Sequence, residues 1–213
     1  YELGWRLHNK TVQLNTNIYY MSYDNQLIQT GGLNDVGEYL RENVKDSYRL
    51  GVEIDANINV SDKFSINQNL TVSSNKINNF MLDRDGVQRN IGTTNIAFSP
   101  NIIAGNALVY KPTKGVQLSL LSKFVGEQYL SNTDTEASKL DSYYVSDFNV
   151  SYELKMNKIF KSIVFTGLVN NLFNKEYVDR GYTYLNTWDT PGTSFEVQGY
   201  FPQATRNFLI GAT

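Results

Sequence analysis

Residues 47–60 read SYRLGVEIDANINV, and this stretch decides the fold. Its even positions are Tyr48, Leu50, Val52, Ile54, Ala56, Ile58 and Val60. Its odd positions are Ser47, Arg49, Gly51, Glu53, Asp55, Asn57 and Asn59. A β-strand points successive side chains to opposite faces, so this pattern predicts one strand with an oily face and a polar face. Strands of globular proteins average ~5–6 residues; this run is more than twice that.

The same period continues outward in both directions. Phe64, Ile66, Leu70 and Val72 oppose Ser65, Asn67, Asn69, Thr71, Ser73 and Asn75, and upstream Val12, Leu14, Ile18 and Tyr20 oppose Gln13, Asn15 and Asn17. Downstream, Val116, Leu118, Leu120 and Phe124 oppose Gln117, Ser119 and Lys123. Tyr144, Phe148, Val150, Tyr152 and Leu154 oppose Asp147, Asn149, Ser151 and Glu153, and Phe208, Ile210 and Ala212 share a face in the last run. Residues 102–110 and 163–172 carry apolar side chains on both faces, so alternation does not assign their inward side. With residues 1–7 as the first, nine strands are expected.

Composition narrows the class further. The 213 residues include no Cys, one His (His8) and 25 Asn, with net charge −2. The missing Cys excludes a disulfide scaffold and a thiolate zinc site, and a lone His cannot build a His-rich metal cluster. The charge balance gives no basic footprint for nucleic acid. Abundant Asn disfavours helix interiors and suits turns. No stretch approaches the ~20 apolar residues of a membrane helix, and no signal-peptide pattern opens the chain.

The connections alternate in length. Short ones are expected near residues 8–10, 61–63, 112–115 and 157–161, and long ones near 30–46, 81–100, 131–141 and 178–204. Short turns at one end and long loops at the other are the layout of an antiparallel transmembrane β-barrel. A tilted spanning strand needs ~9–11 residues, and most runs reach that. Tyr20, Phe64, Tyr110, Phe124, Tyr144 and Tyr152, near strand ends, suit its interfacial girdles. Nine is odd, whereas single-chain bacterial barrels have even strand numbers, so part of a larger barrel is expected. The competing readings are a passive porin-like channel and a soluble β-sandwich or adhesin, in which the oily faces would pack on each other across ~10 Å.

Asn170-Asn171-Leu172-Phe173-Asn174-Lys175-Glu176-Tyr177 resembles the Asn-Leu-Phe-[Asn/Asp]-x-x-Tyr signature near the C-terminal end of TonB-dependent outer-membrane receptors. Tyr200-Phe201-Pro202 followed by Arg206 and Phe208 is similar to the family's passage from last loop to last strand. Arg41-Glu42-Asn43-Val44 and residues 47–53 resemble receptors of the Bacteroidetes type. The resemblance implies that residues 1–213 are the C-terminal portion of the barrel, about nine of 22 strands, with short periplasmic turns and long extracellular loops. It also implies an N-terminal plug domain absent here, the TonB complex as partner through that plug, and the outer membrane of a Gram-negative bacterium as location, in contact with lipid. The implied function is energised import of a scarce nutrient, with an iron chelate (siderophore or haem) favoured and cobalamin and oligosaccharide open. The chain ends at Thr213, a few residues short of the family's usual C-terminal aromatic, so it is expected not to assemble as a barrel by itself.

No catalytic constellation, resident cofactor or metal site is expected. The Asp83-Arg84-Asp85 stretch lacks the further ligands and closing Glu of a calcium loop. Arg41, Arg84 and Arg89 fall in expected extracellular loops, where they would pair with an anionic chelate or serve as ordinary loop charge. Tyr182, Tyr184 and Trp188 form an aromatic-rich stretch that would stack on a planar ligand or pack the rim. Arg49, Glu53 and Asp55 line the polar face of one strand and are expected to face the lumen and the plug. The segment 170–177 is expected to serve strand register and closure rather than ligand chemistry.

Overall fold

The structure, a computed structural model, describes residues 1–33, 38–84, 86–156, 161–186 and 195–213. Nine long strands make one antiparallel meander: β1 (Glu2–His8), β2 (Val12–Leu33), β3 (Tyr39–Ser61), β4 (Phe64–Ile77), β5 (Ile102–Tyr110), β6 (Val116–Val125), β7 (Tyr143–Lys155), β8 (Ser162–Asn170) and β9 (Asn207–Ala212). Each pairs with the next in sequence, and the two-residue strand Thr94–Asn95 adds to the upper end of β4. Each of the nine expected strands has its counterpart among these nine wall strands. No second sheet lies across their oily face among the described residues: Leu3 is 72% exposed and Ile210 93%. That overturns the soluble sandwich, whose stability requires those rows to be buried against each other.

Register places the oily residues in rows. Trp5 opposes Thr16, Thr16 opposes Ile54, Ile54 opposes Leu70, Leu70 opposes Ala104, Ala104 opposes Phe124, and Phe124 opposes Tyr144. The same bookkeeping resolves the two ambiguous strands. Leu108 pairs with Ile66 and Leu120, so even positions of β5 join the oily face. Phe165 pairs with Tyr152, and Val169 with Phe148 and Phe208, so odd positions of β8 join it too. Ile103, Ala107, Val109, Val164 and Leu168 accordingly stand on the polar side.

Aromatics on the oily face gather at two levels. Tyr1, Tyr20 and Tyr48 follow one another at centroid distances of 6.5 and 6.2 Å, and Phe124 faces Tyr144. Near the short turns, Phe64 faces Tyr110 and Tyr152 faces Phe165. Tyr144 and Tyr152 are eight residues apart on β7, about 26 Å along a strand at ~3.3 Å per residue, or about 20 Å of height at a tilt near 40°. That approaches the ~25 Å apolar band of an outer-membrane barrel.

Two of the expected long loops are largely strand. Residues 30–33 and 39–46 are strand: β2 and β3 stay paired from Asp24–Asp46 up to Leu33–Tyr39, projecting well beyond the wall. Residues 178–204 are mostly a second hairpin, Val178–Asn186 against Phe195–Pro202, and a smaller one pairs Met81–Arg84 with Val87–Asn90. The β2 extension was hidden because its alternation changes phase at Asn25, whose φ is +59°. Above it, Ile28 and Val44 turn to the side of Ile77 and bury with Phe80 and Ile96. Asn tolerates this left-handed conformation better than most residues. This cluster is one part of the buried apolar set, to which Val125, Leu130, Leu140 and Tyr143 also belong. It lies where loops cover the upper polar face, since a single-layer wall has nothing else to bury against.

Candidate ligand vestibule

The upper loops are tied into one body by the segment 131–135. The Asn132 amide donates to the Gln29 carbonyl at the top of β2 (2.9 Å) and accepts from the Ala97 N–H (2.8 Å). The Asp134 carboxylate accepts the Asn95 backbone N–H at 2.9 and 3.0 Å and its side-chain amide at 3.0 Å. Lys76 Nζ donates to Asn95 Oδ1 at 2.7 Å, anchoring the same knot on β4. Thr133 and Thr135 hydroxyls donate to the two oxygens of Glu196 at 3.0 and 2.8 Å, and Tyr200 donates to the Ala137 carbonyl at 3.1 Å. One short segment thus holds the β2–β3 hairpin, the 78–101 loop and the 178–202 hairpin. In the sequence Ser131-Asn132-Thr133-Asp134 looks only like turn chemistry; nothing in its spacing names partners 35 to 103 residues away.

The 178–202 hairpin has two unlike faces. One carries Glu196 and Tyr200 and packs on residues 130–138, with Gly181 next to Leu130. The other carries Arg180, Tyr182, Tyr184, Phe195, Val197 and Phe201. Tyr182 and Tyr184 stack at 6.4 Å with planes 12° apart, Tyr182 lies 5.9 Å from Phe201, and the Arg180 guanidinium stands 5.9 Å from the Phe201 ring centre. Tyr182 is 40% exposed and Phe201 48%. Tyr182 also covers Gly199 directly opposite, where any Cβ would collide with its ring.

The candidate residues separate into groups. Tyr182 and Tyr184 are brought together. Trp188 and the Arg84 side chain lie outside the described residues. Arg41 opposes Gln29 on the β2–β3 hairpin, Arg89 opposes Leu82 on the small hairpin, and both are exposed. Burial and the nearby Asp83 charge raise the Glu42 carboxyl above its ordinary value of 4.5, so the two hairpins sense each other electrostatically. Arg180 and Phe201 were missed; the period-two row Arg180-Tyr182-Tyr184 was the available signal. Arg49, Glu53 and Asp55 share one row of β3. Arg49 ties the wall to the 78–101 loop, its Nη1 donating to Asn75 on β4 at 3.1 Å and to Ser99 in that loop at 3.2 Å, while Glu53 and Asp55 are exposed. Lower on that row, Gln13, Asn15, Asp55, Asn57, Asn67 and Asn69 line a hollow of about 260 Å³. There the Asn57 side-chain oxygen is buried without a partner.

The 170–177 segment behaves as a clasp. Asn171 is 3% exposed with φ +51°. Its amide nitrogen donates to the carbonyls of Lys175 (2.8 Å) and Ala204 (3.2 Å), and its amide oxygen accepts the Lys175 N–H (2.8 Å). Its backbone N–H goes to Asp147 on β7 (2.7 Å), and Asn174 Oδ1 accepts the Arg206 N–H (2.9 Å) at the approach to β9. β7, β8 and β9 are thereby fixed in register, the structural role expected of this motif.

A single oily-and-polar sheet with long loops on one end has relatives. The profile of the family described as TonB dependent receptor-like, beta-barrel, matches residues 1–172. This chain belongs to the TonB-dependent receptor-like β-barrel family. Among solved structures, the siderophore receptor PiuA from Acinetobacter baumannii superposes with a TM-score of 0.72 at 18% identity, covering 99% of this chain and 27% of that one. The ferric yersiniabactin uptake receptor FyuA from Yersinia pestis gives 0.69 at 18%, covering 99% and 28%. The ferric citrate transporter FecA gives 0.69 at 18%, covering 99% and 30%. At these identities the likeness concerns the fold. The chain spans less than a third of the length of these receptors. No curated protein matches the sequence. In a transmembrane β-barrel the oily rows of such a wall face lipid and the polar rows face the interior.

Proposed function

We propose that this chain forms barrel wall and part of the ligand vestibule of an outer-membrane receptor that takes up an iron chelate on energy delivered through TonB. The observation that carries the reading is the exposed face of Arg180, Tyr182, Tyr184 and Phe201 on a hairpin braced against the neighbouring loops. Stacked rings present flat π-surfaces, and a guanidinium beside them supplies charge for an anionic chelate. Arg41 and Arg89 add cationic charge on the adjoining hairpins. Siderophore and metal-chelate uptake named for the structural relatives agrees with this choice. The lower hollow around Asn57 would receive hydrogen bonds from the plug, since an orphaned buried carbonyl is costly.

The test uses the full-length receptor. A deletion strain should lose growth on one or more ferric chelates and regain it with the intact gene, but not in a background lacking TonB. Uptake that persists without TonB would instead support a passive channel. Growth unchanged on every iron source would remove the iron assignment and leave cobalamin and oligosaccharide to be tried.

A further inference from the structure

The two ends of the wall differ in charge. Seven of the chain's 12 lysines lie in residues 8–10, 61–63, 111–115 and 155–161, the four short connections. The first holds Lys10, the second Lys63, the third Lys111 and Lys114, and the fourth Lys155, Lys158 and Lys161. Those four stretches contain one carboxylate, Asp62, whereas the other 12 cations of the chain stand with 20 carboxylates. A chain of net charge −2 thus concentrates its positive charge at the short-turn end.

The second and third turns border a hollow of about 530 Å³, where Lys63, Lys111 and Lys114 meet Gln117, Ser151 and Glu153. The last three belong to the polar rows of β6 and β7, so the hollow opens on the interior side of the rim and not toward lipid. Both turns are held firmly. Ser61 Oγ accepts the N–H groups of Lys63 and Phe64 at 3.3 and 3.2 Å. In the other turn Gly115 has φ +82°, and a Cβ there would meet the Glu153 carbonyl oxygen at 2.6 Å. The Lys111 N–H donates to the Lys63 carbonyl at 2.7 Å, which joins the two turns through their backbones. Lys63, Lys111 and Lys114 are exposed, and none of them makes an ion pair among the described residues.

We propose that this rim docks an acidic polypeptide segment on the periplasmic side, with its carboxylates on Lys63, Lys111 and Lys114 and its peptide groups on Thr113, Gln117 and Ser151. From Lys63 to Lys161 the rim passes from β4 to β8, about 19 Å at ~4.8 Å per strand. An extended chain advances ~3.3 Å per residue, so about six residues cover that span. Ammonium groups spread over this distance, with Asp62 and Glu153 between them, suit carboxylates spaced along a chain. A densely charged phosphate polymer would be repelled by those two carboxylates. Turns already fixed in shape lose little freedom on binding, which favours affinity. The inference rests on the outer-membrane reading above, which makes the short-turn end periplasmic, but not on the identity of the transported ligand.

The experiment uses full-length receptor from the outer-membrane fraction, reconstituted in phosphatidylcholine nanodiscs. The probe is a fluorescent oligoglutamate peptide, with oligoglutamine as its neutral counterpart, and binding is read by anisotropy. Oligoglutamate should bind at low salt and weaken as salt rises, because the contacts are between solvated charges; oligoglutamine should not bind. Combining Lys63→Gln, Lys111→Gln and Lys114→Gln should weaken oligoglutamate binding about ten-fold or more, since each replaced ammonium removes an opposite charge from the contact. Arginine at the same three positions should keep the binding. No binding by wild type overturns the proposal, as does equal binding by wild type and the glutamine variant. Phosphatidylglycerol retained by wild type and lost from the glutamine variant, in receptor that ignores the peptide, also overturns it and makes a lipid headgroup the occupant; native mass spectrometry counts that lipid. Ferric-chelate binding by the same samples separates the two readings. Intact chelate binding without peptide binding removes only the rim site, whereas a receptor found outside the outer-membrane fraction removes both.

Discussion

The Asp134 carboxylate accepts the backbone N–H of Asn95 on both oxygens and the Asn95 side-chain amide on one of them, joining two loops 39 residues apart in sequence. Charge-assisted bonds of this kind are stronger than neutral ones. Replacing Asp134 with Ala leaves the Asn95 donors without their acceptor, at a cost of about 1–3 kcal/mol to loop docking. Hydrogen exchange of the Asn95 and Ala97 amides should speed up accordingly, while the amides of β6 and β7 keep their protection. Unchanged exchange at Asn95 would show that the contact does not brace the loops.

Asn171 makes its side-chain bonds to three backbone groups while almost fully buried. Asn171→Ala should destabilise the barrel of the full-length receptor by about 2–3 kcal/mol, from unsatisfied groups in a closed site. Asn171→Asp should also destabilise, because it removes the donor to Lys175 and Ala204. The measurement is the urea midpoint of the receptor in lipid vesicles, and a midpoint equal to wild type would deny the clasp its role in register.

Phe148 sits midway between Tyr144 and Tyr152 on the oily row, and Asn149 is its neighbour on the polar row. Phe148→Arg should cost about 2–4 kcal/mol, the range for a cation on the lipid face near the midplane. Asn149→Arg should cost far less, because the interior is polar. Comparable losses in the two variants would mean that the faces are assigned the wrong way round.

Tyr182 and Phe201 expose their rings on the vestibule hairpin. Tyr182→Ala should weaken binding of the transported chelate about ten-fold, equivalent to ~1.4 kcal/mol. Tyr182→Phe should retain most of the affinity if stacking is the source. Fluorescence quenching on the full-length receptor reads both, and an alanine variant with wild-type affinity would move the ligand away from this face.

Glu42 titrates above its usual carboxyl value because burial opposes its charge and Asp83 repels it. An acid whose folded value is raised binds protons more readily in the docked state, so docking is favoured as pH falls through that raised value and weakened as pH rises. Protection of the 81–90 hairpin, corrected for intrinsic exchange, should therefore increase as the pH is lowered toward 4.5 from neutrality. Glu42→Gln should remove Glu42's part of that dependence. A dependence of opposite sign would contradict the assigned cause.

The period of two in residues 47–60 and its neighbours was enough to read nine strands, an oily face, a polar face and the aromatic levels, because strand side-chain direction is set by the local backbone. The short-and-long rhythm of connections was legible for the same reason, from turn residues alone. Which way residues 102–110 and 163–172 face required the partners' register, since apolar side chains on both sides leave no local preference and only cross-strand neighbours choose. The phase change at Asn25 and the buried group of Ile28, Val44, Ile77, Phe80 and Ile96 depend on loops folding over the wall. So do the ties from Asn132 and Asp134 and the pairing of Arg180 with Phe201. These are contacts between residues far apart in the chain, and they exist only once the sheet has brought its upper ends together.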